Sequence, residues 1–330
     1  MSASVHDVST HSSNVPRRDS GRSPVWVRRI YIANLVTQSG IILTGAIVRI
    51  TGSGLGCPTW PECTEGSLIP TATQMESWHK YVEFGNRLLT FVLAAAAIAA
   101  IGAALVDRRR RRRSGLPARP VLTALAVIPL LGTIVQAVLG GITVLTGLHP
   151  LTVAAHFLVS IGLVAACVAL VVRSGEEGDR PVRWLVPVPI AYLTWALVAA
   201  TLLVVVLGVV TTGSGPHSGD ADVQARFGFD LRTVAWLHAD SVLLFLGLTI
   251  GLLVAARVCH APAALTRRTL VLLAIALTQG IVGYTQYFTG LPELLVAIHV
   301  LGAIGVWLAV LFLPPTLRSR GGVPAALVPE

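Results

Sequence analysis

The sequence predicts an all-α integral membrane protein of eight transmembrane helices. They form two tandem four-helix bundles related by a pseudo-two-fold axis along the membrane normal. Three observations predict it. Of 330 residues, 54% are hydrophobic and only 12% charged, too apolar for an ordinary soluble domain. The apolar residues gather in stretches of roughly 20, the length that crosses a hydrocarbon core of ~30 Å. Finally, "QAVLGGITVLTGLHPLTVAAH" (136–156) aligns without a gap on "QGIVGYTQYFTGLPELLVAIH" (279–299), placing Gln136 on Gln279, Gly140 on Gly283 and His156 on His299.

The spans are expected at about 30–50, 81–106, 121–145, 151–172, 185–211, 234–256, 269–289 and 292–314. All are near-continuous Ala, Val, Leu and Ile with embedded Gly, as in packed membrane helices. The 143-residue offset of the repeat equates spans three and four with seven and eight, and "TGSG" recurs after spans one (51–54) and five (212–215). Four spans separate the copies, an even number, so both halves share one orientation. The expected division is a polar, Ser-rich, disordered tail (1–24), a first bundle (25–173), a linker (174–183), a second bundle (184–314) and a tail (315–330).

Charge sets the orientation. Residues 1–29 and the loops at 107–120, 173–183 and 257–268, with the C-terminal tail, hold twenty Arg, whereas the opposite loops hold Arg226 and Arg232 alone. This positive-inside asymmetry puts both termini in the cytoplasm. The run Arg108–Arg113 is read as a topology determinant facing anionic lipid head groups, and nucleic acid as a poor second partner. No signal-peptide pattern precedes the first span, so that helix is expected to direct insertion. Lys80 is the single lysine against 24 Arg, a bias of GC-rich bacterial genomes, and the expected location is a bacterial cell membrane.

Four of the nine histidines sit on even-numbered spans: His79, His156, His238 and His299. His156 precedes Arg173 by 17 residues, and His238 and His299 each precede the next Arg by 19. At ~1.5 Å per residue these three lie ~25–30 Å above the Arg layer, in the outer third of the membrane. His79 falls beyond the hydrocarbon, and Asn86 occupies the matching depth on span two. His149 and His217 fall in outer turns and read as solvated. A lone intramembrane imidazole is as often a helix-bridging hydrogen bonder as a ligand. Two at one depth in one bundle, His238 and His299, suit bis-histidine haem ligation better than zinc. Every candidate ligand lies near the outer face, which favours chemistry there over electron transfer across the membrane.

Glu83 and Arg87 stand four residues apart within span two, spaced to meet on one helix face. They form either a structural ion pair or a site where Glu83 contacts a substrate in the first bundle. In the first outer loop, "RITGSGLGCPTWPEC", Cys57 and Cys63 lie on the side where disulfides persist. The expected disulfide either staples the loop or relays reducing equivalents. Cys167 and Cys259 read as unpaired.

"RITGSGLGCPTWPEC", "EFGNRLL", "TGSGPHSGD" and the histidines of spans four, six and eight together resemble the heme A synthase family, over residues 30 to 313, in an actinobacterial-like bacterial form. The resemblance implies oxidation of the C8 methyl of haem O to a formyl, by successive methyl hydroxylations, to make haem A for cytochrome c oxidase. It implies a haem b cofactor held by His238 and His299, and a haem O substrate site in the first bundle with His156 on the iron, Asn86 and Arg87 beside it, and Glu83 catalytic. The disulfide Cys57–Cys63 maps onto the family's outer-loop pair. Where the family motif reads Glu-x-x-His-Arg this chain has Asn86, so either His156 holds the substrate iron alone or His79 substitutes. Arg49 with Trp60 or Trp78 is the expected meeting point for the propionates. Implied partners are haem O synthase (the protohaem farnesyltransferase), cytochrome c oxidase assembly, membrane lipids and an unidentified electron donor. The alternative readings are a bis-His haem b electron-transfer protein and a haem transporter.

Overall fold

The computed structural model describes residues 22–320 except 180, 218, 221 and 224. The disordered tail expected at 1–24 therefore lies almost wholly outside the described residues. Eight helices are long and apolar enough to cross a membrane, and the chain is an all-α membrane protein. They are α1 (Val25–Ile50), α2 (His79–Arg113), α3 (Pro120–Leu145), α4 (Pro150–Ser174), α5 (Val188–Ser214), α6 (Leu231–Val258), α7 (Ala263–Phe288) and α8 (Glu293–Leu311). The helices outrun the expected spans by up to seven residues, because helical hydrogen bonding continues into the interfacial residues that hydropathy leaves out.

Local chemistry marks the helix starts. Pro120 and Pro150 open α3 and α4, where a missing N–H costs no intrahelical bond. Asp230 caps α6, its carboxylate accepting the Thr233 amide at 2.8 Å and the Thr233 hydroxyl at 2.7 Å. The same turn closes α3 and α7. Gly147 and Leu148 have φ of 61° and 57°, and Gly290 and Leu291 have φ of 80° and 61°. In both turns the leucine amide reaches a carbonyl five residues back, at 2.9 Å and 2.8 Å.

Packing follows two cycles. Helix α1 lies against α2 and α4, with α3 between those two; α5 lies against α6 and α8, with α7 between them. The cycles meet where α1 and α4 pack on α8, and α4 on α5. Within that seam the Trp307 indole donates to the Ile161 carbonyl at 3.0 Å.

At the Arg-rich end one expectation is corrected. The run at 108–113 does not face outward throughout: Arg111 is 2% exposed and donates to the Pro117 carbonyl at 2.9 Å. Arg119 and Arg173 are buried too. Arg119 donates to the Arg173 carbonyl, and Arg173 pairs with Glu176 and Asp179. Past α8, a 3-10 turn (Pro314–Leu317) buries Thr316 and Leu317. Strand β2 (Arg318–Ser319) then pairs antiparallel with β1 (Arg183–Trp184). Glu176 holds Arg318 and Arg320 at 3.7 Å and 3.4 Å.

Candidate functional site

Helices α6 and α8 bring His238 and His299 together, their ring centres 6.4 Å apart and their planes at 71°. With metal–imidazole bonds of about 2 Å, two rings on opposite sides of one ion have centres roughly 6 Å apart. The spacing therefore fits a shared iron. The Nδ1 of His238 lies 3.0 Å from the Val204 carbonyl. A carbonyl only accepts, so Nδ1 carries the proton and Nε2 keeps its lone pair for a metal. On α8 the His299 carbonyl accepts the Gln279 side-chain amide at 2.7 Å, and Nδ1 lies 3.5 Å from the same nitrogen. Glycines give both rings their room. A Cβ on Gly208 would come within 3.2 Å of His238 Cε1, and one on Gly283 within 3.3 Å of His299 Cε1. Among the described residues no group of three or more His, Cys, Asp or Glu converges.

The first bundle repeats part of this arrangement. The His156 carbonyl accepts from Gln136 at 2.9 Å and from Ser160 at 3.0 Å. A Cβ on Gly140 would touch His156 Cε1 at 3.5 Å. Gln136 and Gln279 thus do the same work, and so do Gly140 and Gly283. Their pairing was visible in the repeat, although a role for either glutamine was not foreseen. Here the ring Nδ1 is buried with no protein partner. Asn86, half-buried on α2, accepts the Thr44 hydroxyl at 2.8 Å. His79 sits at the first residue of α2, its Nδ1 2.9 Å from Ser53 Oγ and its ring stacked on Trp78. It lies seven residues, ~10 Å, along the helix from Asn86.

Glu83 and Arg87 do meet, and together they grip the outer loop. Glu83, 5% exposed, accepts the Cys57 amide at 2.6 Å with Oε2. Its Oε1 accepts Arg87 Nε at 3.0 Å and Nη2 at 2.6 Å. Arg87 also donates to the carbonyls of Cys57 at 2.7 Å and of Thr59 and Glu62 at 3.0 Å each. All five guanidinium N–H groups are engaged within the chain. Cys57 and Cys63 are bonded, with an S–S distance of 2.08 Å. Lys80 braces the loop from below by donating to Thr71 and Gln74 carbonyls at 2.9 Å and 3.0 Å. Trp60 lies directly over Gly141 of α3, where any Cβ would overlap its ring.

Arg49 donates to the His217 carbonyl at 2.7 Å and the Thr212 carbonyl at 3.1 Å. Beside it the Gly54 amide meets the Gly219 carbonyl at 2.7 Å. The His217 ring, expected in solvent, is half-buried with Nε2 3.0 Å from the Leu291 carbonyl. The Arg49 and Gly54 bonds join the two cycles at the disulfide-loop end, and the His217 bond ties the α5–α6 loop to the α7–α8 turn. Nothing in the "TGSG" repeat foretold them, since neither copy contains its partner.

A family model described as COX15-CtaA, cytochrome oxidase assembly protein, matches residues 28–311. Curated proteins named heme A synthase are similar over part of the chain. That of Geobacillus thermodenitrificans is 33% identical over 129 residues, covering 39% of this chain and 37% of the relative. That of Geobacillus kaustophilus is 34% identical over 133 residues, with the same shares. That of Alkalihalophilus pseudofirmus is 30% identical over 155 residues, covering 46% and 48%. The chain thus spans less than half the length of these relatives.

Proposed function

Because the chain belongs to the COX15-CtaA family of cytochrome oxidase assembly proteins, we propose that it is a heme A synthase. In this reading it oxidises the C8 methyl of haem O to a formyl, and the product serves cytochrome c oxidase. The observation that supports it most is the His238–His299 pair, facing at 6.4 Å with the His238 tautomer fixed for ligation. Haem b bound between these rings supplies one-electron redox capacity beside the substrate site.

The chain's own residues supply the rest. His156 on α4 would hold the substrate iron, and Asn86 on α2, whose side chain accepts the Thr44 hydroxyl, would supply no iron ligand of its own. The lipid-immersed helices admit the farnesyl tail laterally, and the disulfide loop roofs the chamber. Glu83 and Arg87 position that loop, and in this reading Glu83 also serves the reaction as the acid of the first cycle. Two successive hydroxylations of the methyl give a geminal diol that loses water to the aldehyde. The Arg-rich ends lie in the cytoplasm of a bacterial cell, the site faces outward, and the two cycles are copies related by an axis along the membrane normal. Haem O synthase is the partner that delivers substrate, and a separate donor supplies electrons.

Purified protein in nanodiscs, given haem O, oxygen and a reductant, tests the reading through extraction and chromatography of its haems. Retained haem b with hydroxylated and formyl products is the expected result. Retained haem b with haem O returned unchanged would sink the enzyme and leave a haem carrier.

A further inference from the structure

Helix α1 carries a row of buried polar side chains through an otherwise apolar core. Tyr31 and Asn34 are 0% exposed and Gln38 is 3% exposed. Tyr31 lies toward the Arg-rich end of α1, its hydroxyl buried with no protein partner. Asp107 is 2% exposed and accepts the Ser23 hydroxyl at 3.0 Å. One turn on, the Asn34 amide donates to Cys167 Sγ at 3.3 Å. A further turn on, Gln38 donates to Thr133 Oγ1 at 3.0 Å. Thr133 stands one turn below Gln136 on α3, and Gln136 donates to Ser160 Oγ and the His156 carbonyl.

Four atoms along this row are buried with no protein partner: Tyr31 Oη, Asn34 Oδ1, Gln136 Oε1 and His156 Nδ1. Polar atoms so placed are ordinarily met by ordered water. Thr133 also donates to the Pro129 carbonyl four residues back at 2.8 Å, but among the described residues the corresponding helix α5 of the second cycle carries no buried Tyr, Asn or Gln. In that cycle the buried Thr194, Thr201, Thr249 and Thr269 each bond a carbonyl four residues back in their own helix.

We propose that Tyr31, Asn34, Gln38, Thr133 and Gln136 form a hydrated proton path from Asp107 at the Arg-rich face to His156. The path rests on the reading of His156 as a substrate-site residue. Each hydroxylation, with oxygen as oxidant and electrons from the separate donor, follows R–CH3 + O2 + 2e− + 2H+ → R–CH2OH + H2O, so the site must draw in protons. The row connects it to the face opposite the disulfide loop. Its links are roughly 5–6 Å apart along the helix, a spacing that one water bridges.

X-ray hydroxyl-radical labelling of the full chain in nanodiscs, read by mass spectrometry, reports water beside buried side chains without needing turnover. Tyr31 and Cys167 are expected to oxidise several-fold faster than Phe245 and Trp307, which are equally buried but off the row. Gln38→Leu should keep the haem b spectrum and haem O binding and slow conversion at least ~10-fold. Its solvent deuterium isotope effect should rise, and Gln38→Glu should restore the rate. Labelling of Tyr31 and Cys167 no faster than Phe245 overturns the path, as does wild-type turnover in Gln38→Leu. If the wild-type protein converts no haem O, the proposed function falls, and the labelling still decides whether the path exists.

Discussion

The Glu83 carboxylate accepts the backbone N–H of Cys57 at 2.6 Å, tying a helix acid directly to a disulfide cysteine. With Arg87 bonded to the carbonyls of Cys57, Thr59 and Glu62, the two side chains fix the loop from both its donor and acceptor groups. Glu83 and Arg87 therefore act as one unit, and their removal should be felt first in the loop.

Arg87→Ala strips Glu83 of its counter-charge and frees three loop carbonyls. Breaking such a buried pair costs about 3–5 kcal/mol. The expected outcome is faster proteolysis within 57–63 and faster reduction of Cys57–Cys63, with the haem b absorbance unchanged. Arg87→Lys should not rescue it, because three donors on one nitrogen cannot reproduce the planar fork. An Arg87→Ala loop as resistant as wild type would show that the clamp is dispensable.

His238→Ala and His299→Ala should each abolish the low-spin bis-imidazole signal in electron paramagnetic resonance. His156→Ala should leave that signal intact and weaken haem O binding. The reverse pattern would exchange the two sites.

Crowding at the glycines gives a graded test. A Cβ at Gly208 meets the His238 ring at 3.2 Å, so Gly208→Ala should shift the haem b reduction potential while retaining haem. Gly208→Val, with two more carbons aimed at the ring, should lose most of it. Redox titration and haem content per protein measure both. Equal behaviour of the two variants would mean that the ring is not confined by α5.

Trp307→Phe removes the indole donor that reaches the Ile161 carbonyl across the seam. One hydrogen bond contributes ~1 kcal/mol, so thermal unfolding should shift down by a few degrees, with both haem sites retained. An unchanged transition would assign cohesion of the seam to apolar packing alone.

Much of this was legible in the sequence. Membrane insertion leaves a coarse and local signal, so eight apolar segments could be located from hydropathy alone, to within a few residues. The repeat carried geometry as well: Gln136 and Gln279, Gly140 and Gly283, and the two Gly-Leu turns take corresponding positions because each works within one pair of consecutive helices.

What the tertiary structure alone decided is where long polar side chains point. Arg49, Arg87 and Arg111 were assigned by sequence to a ligand's propionates, to a substrate and to lipid. Each also bonds backbone carbonyls or carboxylates of the chain itself, partners that the sequence did not reveal. His217 and the row from Tyr31 to Gln38 went unread for the same reason. A flexible or buried polar group takes whichever partner folding brings within 3 Å, and that partner is commonly a backbone atom, which has no letter in the sequence.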